Sequence, residues 1–147
     1  MRAVIQRVSK AEVMAADKRI GAITSGLVIL IGIHKDDLLT NAAKLAHKII
    51  HVRIFDDDAG RMNRSLLDVD GSALIISQFT LFGDCSKGRR PDYTCAAQAP
   101  AARRLYEAFI QQVKQQKINV ASGVFGASMS LTLALDGPVT IILDTNQ

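Results

Sequence analysis

The sequence predicts a mixed α/β fold built as one domain. Three observations carry this. Apolar segments of strand length outnumber the helical ones, and two strongly amphipathic helical patterns are separated by strands. In addition, Gly26-Leu27-Val28-Ile29-Leu30-Ile31-Gly32-Ile33 is a continuous apolar run, as a strand covered on both faces requires. With 147 residues and 48% hydrophobic content, residues 1–147 form a single domain by length and carry enough apolar material for a core.

Ala3 to Met14 alternates imperfectly and reads as a strand, turning near Ala16-Asp17-Lys18 into a second strand around Arg19 to Ile23. The Gly26 to Ile33 run follows as a central strand. From Thr40, the apolar residues Ala42, Leu45, Ala46, Ile49 and Ile50 recur at helical spacing, with Thr40 or Asp37 as N-cap. Val52 to Phe55 leads into Asp56-Asp57-Asp58-Ala59-Gly60, where acids precede a glycine as in a calcium loop. The twelfth position counted from Asp56 is Leu67, not an acid, so a surface turn is expected. Ser72 to Phe82 reads as the next buried strand. A second helix is expected from about Pro100 to Gln116, with Ala102, Leu105, Phe109 and Val113 on one face and Arg103, Arg104, Glu107 and Lys114 on the other. Two final strands, Ser128 to Leu135 and Val139 to Asp144, are expected on either side of a Gly137-Pro138 turn.

The formal charge of +4 and pI near 9.3 allow an acidic partner such as RNA. The tightest basic cluster is Lys87, Arg89 and Arg90 in a glycine-containing loop, which reads either as a solvated loop or as a phosphate contact. Polar residues interrupt the amino-terminal stretch, which is not a secretory signal, and no apolar run approaches the roughly 18 residues of a membrane helix. A cytoplasmic protein without membrane contact is expected. Cys85 and Cys95 are too far apart for a Cys-x-x-Cys site and too few for a disulfide framework, so both are expected as reduced thiols.

Conventional catalytic sets are missing from the pattern. His47 and His51 lie i, i+4 as in a zinc-protease helix, but Lys48 stands where the catalytic Glu belongs. Gly83 to Arg90 lacks the Lys-Ser/Thr that a P-loop needs after its second glycine. No nucleophile elbow accompanies any histidine, and no metal or other cofactor is implied. What remains is Ser77-Gln78-Phe79-Thr80-Leu81, a set of polar groups at the end of an apolar strand. On a strand Gln78 and Thr80 would share one face while Ser77 and Phe79 face the other, so side chains alone cannot all reach one substrate. Backbone N–H groups at a bent strand end could serve a carbonyl or oxyanion instead. Arg7 interrupts an apolar strand; it reads as a surface residue or as a donor set holding carbonyls.

Taken with Leu135-Asp136-Gly137-Pro138-Val139-Thr140, the Ser77 to Leu81 segment resembles the two signature motifs of the D-aminoacyl-tRNA deacylase family. Met1-Arg2-Ala3-Val4-Ile5-Gln6-Arg7-Val8, Phe79 to Cys85, Lys87-Gly88-Arg89-Arg90-Pro91 and Phe125-Gly126-Ala127 extend the resemblance along the chain. It implies a three-layer β/β/α fold and a homodimer without cofactor that acts in chiral proofreading. Such an enzyme hydrolyses the ester of D-aminoacyl-tRNA at the 3′-terminal adenosine, and glycyl-tRNA should be cleaved too. By the resemblance, Ser77, Gln78, Thr80 and the Phe79 backbone form the catalytic segment, and Phe125 and Met129 belong to the substrate pocket. Gly137 and Pro138, joined by a cis bond and braced by Arg7, exclude L-substrates from across the subunit interface, and Lys87, Arg89 and Arg90 contact tRNA. The family usually has Asn where this chain has Leu135. A deacylase for small L-aminoacyl-tRNA and a non-catalytic RNA-binding dimer are the alternative readings.

Overall fold

A long first strand organises the chain. In the computed structural model, which describes residues 1–145, β1 (Arg2–Ala15) pairs antiparallel on both of its edges. One edge is shared: residues 2–8 pair with β3 (Gly26–Gly32) and residues 11–15 with β2 (Lys18–Ile23). The other edge is taken along its length by β8 (Ser130–Asp144). Beyond β3 the sheet continues in parallel through β6 (Ser72–Ser77) and β7 (Asn119–Ser122). A small antiparallel pair, β4 (Phe55–Asp56) with β5 (Met62–Arg64), stands apart.

Two apolar clusters show how the layers stack. α1 (Leu39–His51) buries Ala42, Leu45, Ala46, Ile49 and Ile50, and α2 (Ala99–Gln115) buries Ala102, Leu105, Tyr106, Phe109, Ile110 and Val113. They share one cluster with Ile5, Leu27, Ile29, Ile31 and Ile75 of the sheet. On the opposite side Val8, Ala11 and Val13 of β1 and Ile23 of β2 pack with Val28 of β3 and with Leu74 and Ile76 of β6. The far half of β1, with β2 and the start of β8, therefore folds back over β3 and β6. The result is the β/β/α order expected from the resemblance, with β3 and β6 covered on both faces and β6 apolar between its terminal serines.

Four boundaries differ from the sequence reading, each for a local reason. The N-cap of α1 is Leu38, whose N–H donates to Asn41 Oδ1 at 2.8 Å; Asp37 instead takes the Met1 amino group at 2.5 Å and the His34 N–H at 2.6 Å. The strand expected over Ser72 to Phe82 ends at Ser77, and residues Phe79–Phe82 form a 3-10 turn. Bare Gly32 permits that turn: a Cβ there would lie 3.0 Å from the Gln78 carbonyl oxygen and 3.1 Å from the Phe82 ring. β7 is a strand that the sequence pattern does not announce, because its residues, Asn119 exposed and the other three half-buried, carry no apolar run. Finally, Gly137-Pro138 is no turn between two strands. It lies inside the continuous β8, where residues 136–139 bulge out opposite Arg7 alone, between the pairs Gln6–Thr140 and Val8–Leu135.

Phe109 is fully buried at the junction of α2 with the sheet. Phe109→Ala should lower unfolding stability by about 3–5 kcal/mol, the range for truncating a buried aromatic. Urea denaturation monitored by circular dichroism measures this, and a loss below about 1 kcal/mol would show that the helix layer collapses around the void.

Candidate active site

A cavity of about 580 Å³ opens where β6 runs into the 3-10 turn. Ile76, Ser77, Gln78 and Phe79 form one wall, Phe125 and Met129 from the β7–β8 connection form another, and Tyr93 with Ala99 and Ala102 of α2 closes the rim. Four of the sequence-derived candidates, Ser77, Gln78, Phe125 and Met129, thus meet Phe79 in one apolar hollow with few polar groups, the usual composition of a small-molecule site. Thr80 sits just outside, and its hydroxyl accepts a hydrogen bond from Gln78 Nε2.

The chemistry available there is mainly that of the backbone. Among the lining residues Tyr93 alone has a titratable side chain, so the wall offers no histidine or carboxylate as general base. Within the turn the Leu81 N–H donates to the Gln78 carbonyl and the Gly83 N–H to the Thr80 carbonyl. The first N–H groups of such a turn, those of Phe79 and Thr80, have no acceptor inside it and remain available to a ligand oxygen. Arg2 anchors the turn from behind: Nη1 donates to the Leu81 carbonyl at 2.9 Å, Nε to Asp144 Oδ2 at 2.9 Å, and the guanidinium lies 5.0 Å from the Phe82 ring centroid. Sequence reasoning missed Arg2 in this role. It looks like an ordinary strand-end charge, and nothing local links it to a carbonyl 79 residues away.

The β8 bulge forms a second, separate element. The Gly137-Pro138 peptide bond is cis and Gly137 has φ +118°, in the region that favours glycine. Both residues are exposed, and neither lines the cavity. By strand register the bulge lies about 20 Å from Ser77 along the sheet. Beneath it Arg7 is only 6% exposed. Arg7 Nε donates to the Asp136 carbonyl at 3.3 Å and pairs with Asp136 Oδ2 at 3.1 Å; Nη1 donates to the Ile54 carbonyl at 2.7 Å and lies 3.5 Å from Asp56 Oδ2. Leu135, where the bulge begins, is 46% exposed.

Lys87, Arg89 and Arg90 are exposed on the loop that leaves the turn. Backbone hydrogen bonds between Asp84 and Asp92, 2.8 and 2.9 Å, pin the base of this loop, and the Ser86 N–H holds the Asp84 carboxyl below its usual range. The loop returns to Tyr93, whose ring meets Phe79 edge-on at 5.0 Å. His47 and His51 stack on each other at 4.1 Å, with His51 Nδ1 2.7 Å from the His47 carbonyl; no group of three metal-binding side chains exists among the described residues. Cys85 and Cys95 are both free thiols.

Residues 4–144 match the family model described as D-Tyr-tRNA(Tyr) deacylase. Curated relatives named D-aminoacyl-tRNA deacylase include that of Fervidobacterium nodosum, 52% identical over 100% of this chain and 99% of its own length, and that of Thermus aquaticus, 51% identical over 100% and 97%. Among solved structures, the chain described as c-Myc DNA Unwinding Element Binding Protein superposes with a TM-score of 0.92 at 34% identity, covering 99% of each chain. One described as a probable eukaryotic D-amino acid tRNA deacylase superposes at 0.85 over 97% of each chain; at 19% identity that likeness concerns the fold alone. Matched from end to end by relatives half-identical to it, this chain belongs to the D-aminoacyl-tRNA deacylase family.

Proposed function

We propose that the protein is a homodimeric hydrolase that cleaves the ester between a D-amino acid and the 3′-terminal adenosine of tRNA, and that glycyl-tRNA mischarged on tRNA-Ala is a second substrate. The observation that carries this reading is the division of labour in the site. The cavity lacks a side-chain base, while an exposed bulge held by buried Arg7 lies outside the cavity of its own protomer. A second copy can bring that bulge to the cavity mouth. β8 supports such an assembly: among the described residues it pairs only with β1, leaving its outer edge open, and it exposes Ile142 (67%) as well as Leu135.

In this reading the terminal adenosine and its aminoacyl ester enter between Phe125 and the Ser77 to Phe79 wall. Water adds to the ester carbonyl, and the negative charge developing on the carbonyl oxygen is met by the N–H groups at the start of the turn. The adjacent ribose 2′-hydroxyl orients the water, a positioning effect worth about 7–11 kcal/mol at best. Collapse breaks the bond to the 3′-oxygen, which takes up a proton, and free D-amino acid and tRNA leave. The partner's Gly137 and Pro138 carbonyls face the substrate α-carbon, so an L side chain meets backbone while a D side chain points away. Glycine presents no side chain to exclude. The work is that of translation quality control in the cytoplasm.

Comparing purified protein on D-, L- and glycyl-tRNA tests the reading directly. Hydrolysis of small L-aminoacyl-tRNA alone would transfer it to an altered-specificity deacylase, and binding without hydrolysis to an RNA-binding dimer. Thr80→Ala should keep deacylation within about tenfold, since its hydroxyl is engaged by Gln78 and lacks a base. A 3′-linked substrate with a 2′-deoxy terminal adenosine should lose about 10²-fold or more, the scale of lost proton-transfer assistance. A covalent acyl-Thr80, or normal cleavage of the deoxy substrate, contradicts the mechanism.

Gly137→Ala would place a Cβ 2.8 Å from Val139 Cγ2 and 3.3 Å from an Arg7 nitrogen, on a backbone at φ +118°. The bulge must shift, and the D/L cleavage ratio should fall at least about tenfold, the equivalent of about 1.4 kcal/mol of lost discrimination. Single-turnover rates on D- and L-tyrosyl-tRNA measure it; an unchanged ratio in a variant that still dimerises would remove the bulge from selection.

Replacing Lys87, Arg89 and Arg90 together by Ala should weaken binding to D- and glycyl-tRNA alike and flatten its salt dependence, because each lost phosphate contact releases less counterion. The D/L ratio should stay unchanged. Affinity at two salt concentrations, measured beside that ratio, separates tRNA contact from a merely solvated loop.

A further inference from the structure

A cation outside the basic loop borders the cavity. Arg103, exposed on the second turn of α2, places its guanidinium carbon 5.3 Å from the centroid of the Phe125 ring, which lines the cavity. The Tyr106 ring contacts that of Phe125 at 5.8 Å, and its hydroxyl donates to the Ile75 carbonyl at 2.8 Å inside the core. Tyr106 thus ties the Phe125 wall to β6. Neighbouring Ala102 lines the cavity itself, which puts Arg103 at the rim.

Among the described residues the guanidinium has no carboxylate of its own. Among the described residues no ion pair or hydrogen bond engages it, although Glu107 lies four positions along the same helix. A guanidinium over an aromatic ring keeps its in-plane N–H donors free, and their fork matches phosphate oxygens. The aminoacylated terminal nucleotide of a tRNA carries one fixed anion close to its reacting end, the phosphate on its 5′-oxygen. The α-amino group of the substrate is cationic and would be repelled.

We propose that Arg103 binds the phosphate 5′ to the terminal adenosine and so seats the nucleotide against Phe125. The proposal rests on the deacylase reading for its substrate. It assigns the anchoring of the last nucleotide to Arg103 and leaves Lys87, Arg89 and Arg90 to more distant phosphates.

The test compares wild type, Arg103→Gln and Arg103→Lys on two small substrates, the 3′-D-tyrosyl ester of adenosine and the same ester of adenosine 5′-phosphate. Titration of adenosine and adenosine 5′-monophosphate by NMR runs in parallel. Arg103→Gln should raise KM for the phosphorylated ester about tenfold, the loss of a hydrogen bond to a charged group, with kcat unchanged. KM for the unphosphorylated ester should not move, and Arg103→Lys should restore part of the loss. The monophosphate should bind wild type more tightly than adenosine, and Arg103→Gln should erase that gap. Equal effects on both esters, or none on either, overturn the proposal while leaving the deacylase reading intact. A wild type that cleaves neither ester but shows the binding gap counts against that reading alone; a wild type without the gap overturns the role of Arg103.

Discussion

The buried guanidinium of Arg7 is the interaction on which the rest of the arrangement depends. Enclosing a charge costs several kcal/mol unless its donors are met. Here they are met by the carbonyls of Asp136 and Ile54 and by the carboxylates of Asp136 and Asp56, which belong to two separate chain segments. A regular β8 would keep the Asp136 carbonyl in the ladder. By reaching for it, Arg7 stabilises a strand that leaves register for residues 136–139 and resumes at Thr140. The bulge is therefore held from beneath by a residue of β1, the strand that pairs with three others. The selecting role proposed for the bulge needs such support, because a carbonyl that selects by shape loses discrimination when it moves by an ångström.

The cavity follows a similar logic. The strand end and turn beside it are main chain held from three directions: Gln78 N–H on the Ile31 carbonyl at 2.8 Å, the Leu81 carbonyl on Arg2, and Phe82 against bare Gly32. The opposite wall is fixed through Tyr106. Burial pushes that phenol up to about 12, so it remains a neutral donor to Ile75 through the neutral range and the wall keeps its position as pH changes. Preorganised dipoles of this sort stabilise developing charge without paying for reorientation during the reaction.

How much was legible in the sequence depended on the range of the signal. Both helices and the central strand were readable because periodicity and apolar runs are local and strong. Ser77, Gln78, Phe79, Phe125 and Met129 were found through motif resemblance, and the structure gathers them around one cavity. The 3-10 turn was not readable, since Phe79, Leu81 and Phe82 continue an apolar strand pattern and only the close approach allowed by Gly32 bends them away. Gly137-Pro138 looked like a turn because Gly-Pro punctuates most chains; that it sits inside one strand is decided by pairing with Arg7, far away in sequence. Arg2 and Arg103 escaped for the same reason. Each resembles a solvated charge until tertiary structure sets it on an aromatic ring.

The proposed function assigns affinity and selectivity to different chemistry at different places. In that proposal the cations at the cavity rim and on the 84–92 loop act on phosphate, which every tRNA shares, so they would raise the occupancy of right and wrong substrates alike. Selection, on that proposal, falls to the Gly137 and Pro138 carbonyls, outside the cavity and its side chains. An enzyme that must reject a very large excess of L-aminoacyl-tRNA gains from this separation. Strengthening the grip on tRNA leaves the chiral test unchanged, whereas a side-chain base in the cavity would have offered the water of hydrolysis to either enantiomer. In the proposed function, the lack of a general base on the wall and the bracing of the bulge by Arg7 are two parts of one solution: the substrate brings the reactive hydroxyl, and geometry decides which ester can bring it into line.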